Sequence, residues 1–177
     1  MALVATQCTL LLVDLQTRLM PAITGGDQVV ANAGRLVEGA RMMNVPIRAT
    51  EQNPGGIGPM VETLAQPAAA TLTKTYFDAT READFESFLP ETRETIVVAG
   101  CEAHVCVLQT VLGLRSQGRQ VVLVRDAVGS RAVENRDAAL ERAREHGAEL
   151  VTTEMVLFEW LATSDHSGFR DVLRLVK

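Results

Sequence analysis

Three times along this chain a nearly unbroken apolar run stops at a polar residue or a glycine. Cys8–Val13 stops at Asp14, residues 95–99 stop at Gly100, and residues 120–124 stop just short of Asp126. A strand with one face in water alternates apolar and polar residues, whereas a strand covered on both faces reads as a continuous apolar run. Between the runs, Val29, Val30, Ala33, Leu36, Val37 and Ala40 recur at helical spacing. Doubly covered strands alternating with amphipathic helices predict an α/β domain, with a parallel sheet between two layers of helices.

The remaining elements follow from the same signals. Residues 45–50 and 71–73 read as strands, the second ending at Lys74, and Asn53-Pro54-Gly55-Gly56 is a turn signal. Residues 149–151 read as a last short strand. Helices are expected over residues 82–89, stopped by Pro90, over 103–116, and over 133–146 with Gly147 beyond the end. Two more are expected over 154–161 and 166–175, the last capped by Ser164 or Asp165. No internal repeat or linker interrupts the pattern, so residues 1–177 are read as one domain.

Parallel sheets of this kind bind ligands beyond the carboxyl ends of their strands. The residues expected there are Asp14, Glu51, Lys74, Cys101 and Asp126. Asp14 suits a helix cap as well as a base. Lys74 is more pointed, because the chain has 15 arginines and only two lysines, Lys74 and Lys177. Lysine is a compact charge whose pKa can be moved, unlike that of arginine. Cys106 falls near the start of a helix, where a neighbouring cation lowers a thiol pKa and favours a nucleophile. A buried, inert thiol is the plain alternative. His104, two residues earlier, points to a different helix face and makes a direct Cys–His pair doubtful.

Composition closes off several functions. Net charge is −5, with no basic tract and 4% aromatic residues, so nucleic acid is not an expected partner. No apolar run approaches membrane-spanning length and no signal-peptide layout is expected at the start. Three cysteines, Cys8, Cys101 and Cys106, suit free thiols in a reducing, cytoplasmic setting. P-loop, G-x-G-x-x-G, G-x-S-x-G and H-E-x-x-H motifs are absent, and Cys101, His104 and Cys106 do not have a standard zinc spacing.

Residues 97–110, Val-Val-Ala-Gly-Cys-Glu-Ala-His-Val-Cys-Val-Leu-Gln-Thr, resemble the nucleophile segment of the isochorismatase-like hydrolases, also called cysteine hydrolases. The resemblance extends to residues 12–16, 74–77, 126–131 and 147–154. Residues 50–58 and 164–169 are most similar to the isochorismatase-domain-containing branch. It implies a three-layer α/β/α, Rossmann-like fold with six parallel strands, and a catalytic triad of Asp14, Lys74 and Cys106. It also implies a cis peptide at Cys101–Glu102 and an oxyanion hole made by the backbone N–H groups of Glu102 and Cys106. Gln52 and Arg131 are then candidates to shape the pocket.

The chemistry so implied is cysteine-dependent hydrolysis of a small amide or related acyl compound through a thioester. An isochorismatase-like vinyl-ether hydrolase, or an idle oligomeric scaffold, are the alternatives. Nicotinamidases of the superfamily carry an Asp/His/His metal site, but residues 51–60 contain no histidine. No metal or other cofactor is therefore expected. The expected partners are a small-molecule substrate and further copies of the chain in a homo-oligomer; an apolar helix face beginning near Val105 suits either that contact or the core.

Overall fold

The computed structural model describes residues 2–65 and 70–177. Its six strands are β1 (Cys8–Val13), β2 (Ile47–Gln52), β3 (Ala70–Lys74), β4 (Thr95–Cys101), β5 (Gln120–Gly129) and β6 (Glu149–Val151). They form one sheet in the order β3-β2-β1-β4-β5-β6, with every pair parallel. Chain direction across the sheet reverses between β1 and β4, which puts the topological switch point beside Asp14 and Gly100.

The helices are α1 (Gly26–Met42), α2 (Pro54–Ile57), α3 (Phe85–Phe88), α4 (Leu108–Ser116), α5 (Val133–Glu145), α6 (Thr153–Leu161) and α7 (Phe169–Val176). Leu10 and Leu12 of β1 pack with Ala33 and Leu36 of α1, Leu157 and Trp160 of α6 and Val172 of α7. Leu11 and Val13 point the other way, into Phe85 of α3, Val111 and Leu114 of α4 and Leu140 of α5. β1 thus has no solvated face, which explains its unbroken apolar sequence. Each such leucine contributes about 1.5–3 kcal/mol on full burial. Val105 packs against this second cluster, so core contact accounts for its apolar character.

Several boundaries differ from the sequence reading. β2 and β3 both run on to end at paired residues, Gln52 and Lys74. β5 continues past Asp126 to Gly129, after an irregularity in its pairing with β4. Asp126 is therefore not at a strand end. Its Oδ1 accepts hydrogen bonds from Thr153 N (2.8 Å) and Thr153 Oγ1 (3.0 Å) at the start of α6. The helix expected over 82–89 shrinks to α3, because Glu82 turns back to accept hydrogen bonds from the Thr75 and Tyr76 amides (2.6 and 2.9 Å). α7 starts after Gly168 with no side-chain cap, so neither Ser164 nor Asp165 serves. No helix among the described residues is long and apolar enough to cross a membrane.

Candidate active site

Asp14 is the first residue past β1. Strict alternation would send it to the face of Leu10 and Leu12. Instead its backbone turns into the left-handed region, φ +50°, a conformation aspartate tolerates better than most residues. Its N–H still donates to the Thr50 carbonyl (3.1 Å). Its carboxylate is redirected to accept from Thr50 Oγ1 at Oδ1 (2.7 Å) and to pair with Lys74 Nζ at Oδ2 (2.8 Å).

Lys74 closes β3 and is 1% exposed. A buried ammonium is tolerable only when paired and hydrogen-bonded. Besides Asp14, its Nζ donates to Gln52 Oε1 (2.7 Å) and, over longer distances, to the carbonyls of Tyr76 (3.3 Å) and Phe77 (3.5 Å). Thr110 Oγ1 braces the same strap, accepting from Ala79 N (3.1 Å) and donating to the Phe77 carbonyl (3.4 Å).

The Cys101–Glu102 peptide is cis. The chain then enters α4 through a wide π turn over Ala103–Val107, in which the Glu102 carbonyl accepts from Val107 N (3.2 Å). Cys106 sits in that turn, buried, close enough to the Asp14 carboxylate and the Lys74 ammonium for both to act on its thiol. Its pKa runs opposite to the expectation from helix position. Burial first, and then the negative Asp14, push the thiol up to about 12 against the opposing pull of Lys74. The balance favours the neutral thiol over the thiolate.

Glu102 caps the turn from outside. Its carboxylate accepts from Arg131 N (3.0 Å) and pairs with Arg131 Nε (3.0 Å). Burial alone would raise this carboxyl, but the Arg131 hydrogen bonds and charge outweigh it and hold it below the usual range. His104 Nδ1 lies 3.0 Å from Ser130 Oγ. Cys101 is on the opposite face, packed among the α1-side cluster. Burial pushes its thiol up to about 12 as well. No group of three or more His, Cys, Asp or Glu side chains converges on a metal-sized site among the described residues.

The structure therefore gathers Asp14, Lys74, Cys106 and Gln52 into one cluster and places Glu102 and Arg131 at its edge. Glu51 turns away to accept from Met60 N (2.7 Å). Thr50, Gln16 and Thr110 were not singled out by sequence, although each is a fully buried polar residue near a strand end or one helical turn past Cys106.

An open parallel sheet that gathers a buried acid, amine and thiol beyond its strand ends fits an α/β hydrolase. The isochorismatase-domain profile matches residues 8–155, and the chain belongs to that family, within the cysteine-hydrolase superfamily. It is 35% identical to isochorismatase domain-containing protein 2A of Mus musculus, over 95% of this chain and 82% of the other. Among solved structures it resembles the MAR1 ribonuclease of Caenorhabditis elegans (32% identity, TM-score 0.93, 99% and 92% of the two chains). It also resembles YcaC. The Pseudomonas aeruginosa form, solved with hexane-2,5-diol and covalent acrylamide, is 28% identical (TM-score 0.92, 98% and 91%). The Escherichia coli form, described as an octameric hydrolase of unknown specificity, is 26% identical (TM-score 0.92, 98% and 90%).

Proposed function

We propose that this protein is a cysteine hydrolase of small, uncharged amides or related acyl compounds, working through a thioester on Cys106. The observation that carries this reading is the buried Asp14–Lys74 ion pair (2.8 Å) within reach of the Cys106 thiol. Asp14 takes the thiol proton as sulfur attacks the substrate carbonyl. Lys74 keeps the emerging negative charge close to a cation. The carbonyl oxygen gains charge and is met by the N–H groups of Glu102 and Cys106. Cys106 lies in the first turn of its helix, where amides lack a preceding helical carbonyl. Protonated Asp14 returns its proton to the leaving amine as the C–N bond breaks. The same carboxylate then deprotonates a water that attacks the thioester. The acid departs, and the sulfur recovers a proton.

The neutral substrate class rests on charge. Both cations at the site already have carboxylate partners, Lys74 with Asp14 and Arg131 with Glu102. A substrate carrying its own carboxylates, as a vinyl-ether substrate of the isochorismate type does, would meet a Lys74 already neutralised by Asp14 and an Arg131 already sharing its charge with Glu102 through Nε. Acrylamide is a thiol-directed electrophile, and its covalent capture in the Pseudomonas aeruginosa relative supports a thiol centre in this sheet. The reading further takes residues 1–177 as one domain that acts as a homo-oligomer on a small molecule. The octameric Escherichia coli relative supports the assembly, and exposed Val4 and Met155 are suited to a contact between copies.

The test is turnover of a panel of uncharged primary amides, with intact-mass capture of an acyl adduct and peptide mapping to Cys106. Cys106→Ala abolishes both in this reading. Amide hydrolysis that persists in Cys106→Ala would sink it. Cleavage of a vinyl ether by Cys106→Ala without an adduct would favour the ether chemistry instead, and cleavage of RNA alone would replace the small-molecule substrate.

A further inference from the structure

Lys74 has three N–H bonds to give, and two are committed at short range, to Asp14 Oδ2 (2.8 Å) and Gln52 Oε1 (2.7 Å). The third makes no short contact of this kind and has the longer carbonyl contacts at Tyr76 (3.3 Å) and Phe77 (3.5 Å). That third proton is the one left for sulfur when the thiol ionises.

Gln52 is itself held on three sides. It is the register partner of Lys74 in the parallel β2/β3 pair, so the two side chains share a face of the sheet. Its Nε2 donates to the Thr75 carbonyl (2.9 Å). That fixes the orientation of the amide, because the reverse orientation would set an NH2 group against the ammonium and a C=O against a C=O. Its backbone is gripped by Gln16, whose Oε1 accepts from Gln52 N (2.8 Å) and whose Nε2 donates to the Gln52 carbonyl (3.1 Å). β1 has already ended at this level, its last β2 pair being Val13 with Thr50. The side-chain amide of Gln16, fully buried, therefore stands in for the missing strand.

We propose that Gln52 is a positioning residue for Lys74, clamped by Gln16, and that it keeps the third ammonium proton available to the Cys106 sulfur. A neutral acceptor suits this task. A carboxylate at position 52 would add a second negative charge beside a thiol that must ionise. With no acceptor there, the buried ammonium turns its spare proton into the Tyr76 and Phe77 carbonyls, since an unmet buried donor is costly. The inference rests on the role assigned above to Lys74 and adds the group that aims it.

The experiment measures alkylation of Cys106 by iodoacetamide as a function of pH, by peptide mass mapping; sulfur displaces iodide and the thiol proton is released. Cys8, fully buried, serves as an internal check on folding. Gln52→Met keeps the length of the side chain and removes the acceptor. It is expected to slow Cys106 about tenfold at neutral pH and to displace the pH–rate profile upward by about one unit. Adding Gln52→Met to Lys74→Met is expected to give no further slowing. Should Gln52→Met expose Cys8, Gln52→Asn takes its place: it keeps a neutral acceptor, draws it back from Lys74 by one methylene, and is expected to displace the profile in the same direction. A wild-type profile in the folded variant overturns the inference. Equal slowing by Gln52→Met with and without Lys74 also overturns it, because Gln52 then acts by another route. Wild-type alkylation in Lys74→Met strikes instead at the proposed function, whereas a slow Lys74→Met with a normal Gln52→Met strikes only at Gln52.

Discussion

At the switch point of the sheet, Gly100 lies so close to Val13 that a Cβ on it would sit 2.0 Å from the Val13 carbonyl oxygen. Its φ of +137° is also one that side chains rarely adopt. β4 thereby approaches β1 one residue before Asp14 on one strand and one residue before Cys101 on the other. Gly100→Ala is expected to lose about 3 kcal/mol or more, combining backbone strain with overpacking. Urea unfolding measures this, and an unchanged midpoint would contradict the packing described.

Asp14→Asn removes the carboxylate from a pair in which both side chains are essentially inaccessible. Breaking such a pair from one side costs about 3–5 kcal/mol, because it strands the other charge. The double variant Asp14→Asn/Lys74→Met is expected to recover most of that loss while remaining without hydrolase activity. Denaturation midpoints of the two variants check it, and a double variant no more stable than the single would argue that the ammonium is not the stranded group.

Alkaline conditions should weaken the fold through its buried thiols. Cys101 and Cys106 are raised to about 12 and Cys8 is raised as well, burial being the first cause in each. The unfolded thiol releases its proton first, so the unfolded chain binds fewer protons and stability falls as pH rises. The loss begins near the ordinary thiol value and continues toward the folded one. Each titrating thiol adds up to about 1.4 kcal/mol per pH unit in that window. Cys101→Ala should flatten the decline between pH 9 and 10.5, roughly the start of that window, as measured by urea midpoints.

Glu102 gives the opposite sign. Its folded carboxyl is held below the usual range by Arg131, so its contribution is present above the unfolded carboxylate pKa and fades as pH falls through the folded value. Arg131 is largely in solvent, its side chain 63% exposed, so the effect stays below about 1 kcal/mol. Glu102→Gln should cost a little stability at neutral pH and less in acid, where the wild type has already lost this contribution. A larger loss at pH 7 than at pH 4 fits this account, whereas equal losses would not.

The layered fold was legible because burial on both faces writes itself into sequence, as in Cys8–Val13. Lys74 stood out through the scarcity of lysine, and Asp14 through its abrupt end to an apolar run. Burial opposes the low-pKa reading of Cys106 for a physical reason: helix position and a nearby cation are sequence-local cues, whereas desolvation depends on packing from distant elements. Asp126 misled because β5 has an irregular pairing with β4 that no local pattern announces. Gln16 was equally silent, since a glutamine that replaces a strand's hydrogen bonds looks like any other glutamine until the neighbouring strand is seen to stop.

That stop has a consequence for the shape of the upper rim. β2 outlasts β1 by two residues and β4 by one. At about 3.3 Å per residue, the middle strand leaves a step roughly 3–7 Å deep, walled by its taller neighbours. Asp14 forms the floor of this step. One more residue in β1 would lift the floor by about 3.3 Å and carry the acid away from Thr50 and Lys74, whose strands would stay where they are. The depth of the step and the placing of the Asp14 carboxylate are therefore set by the same integer, counted in residues of one strand.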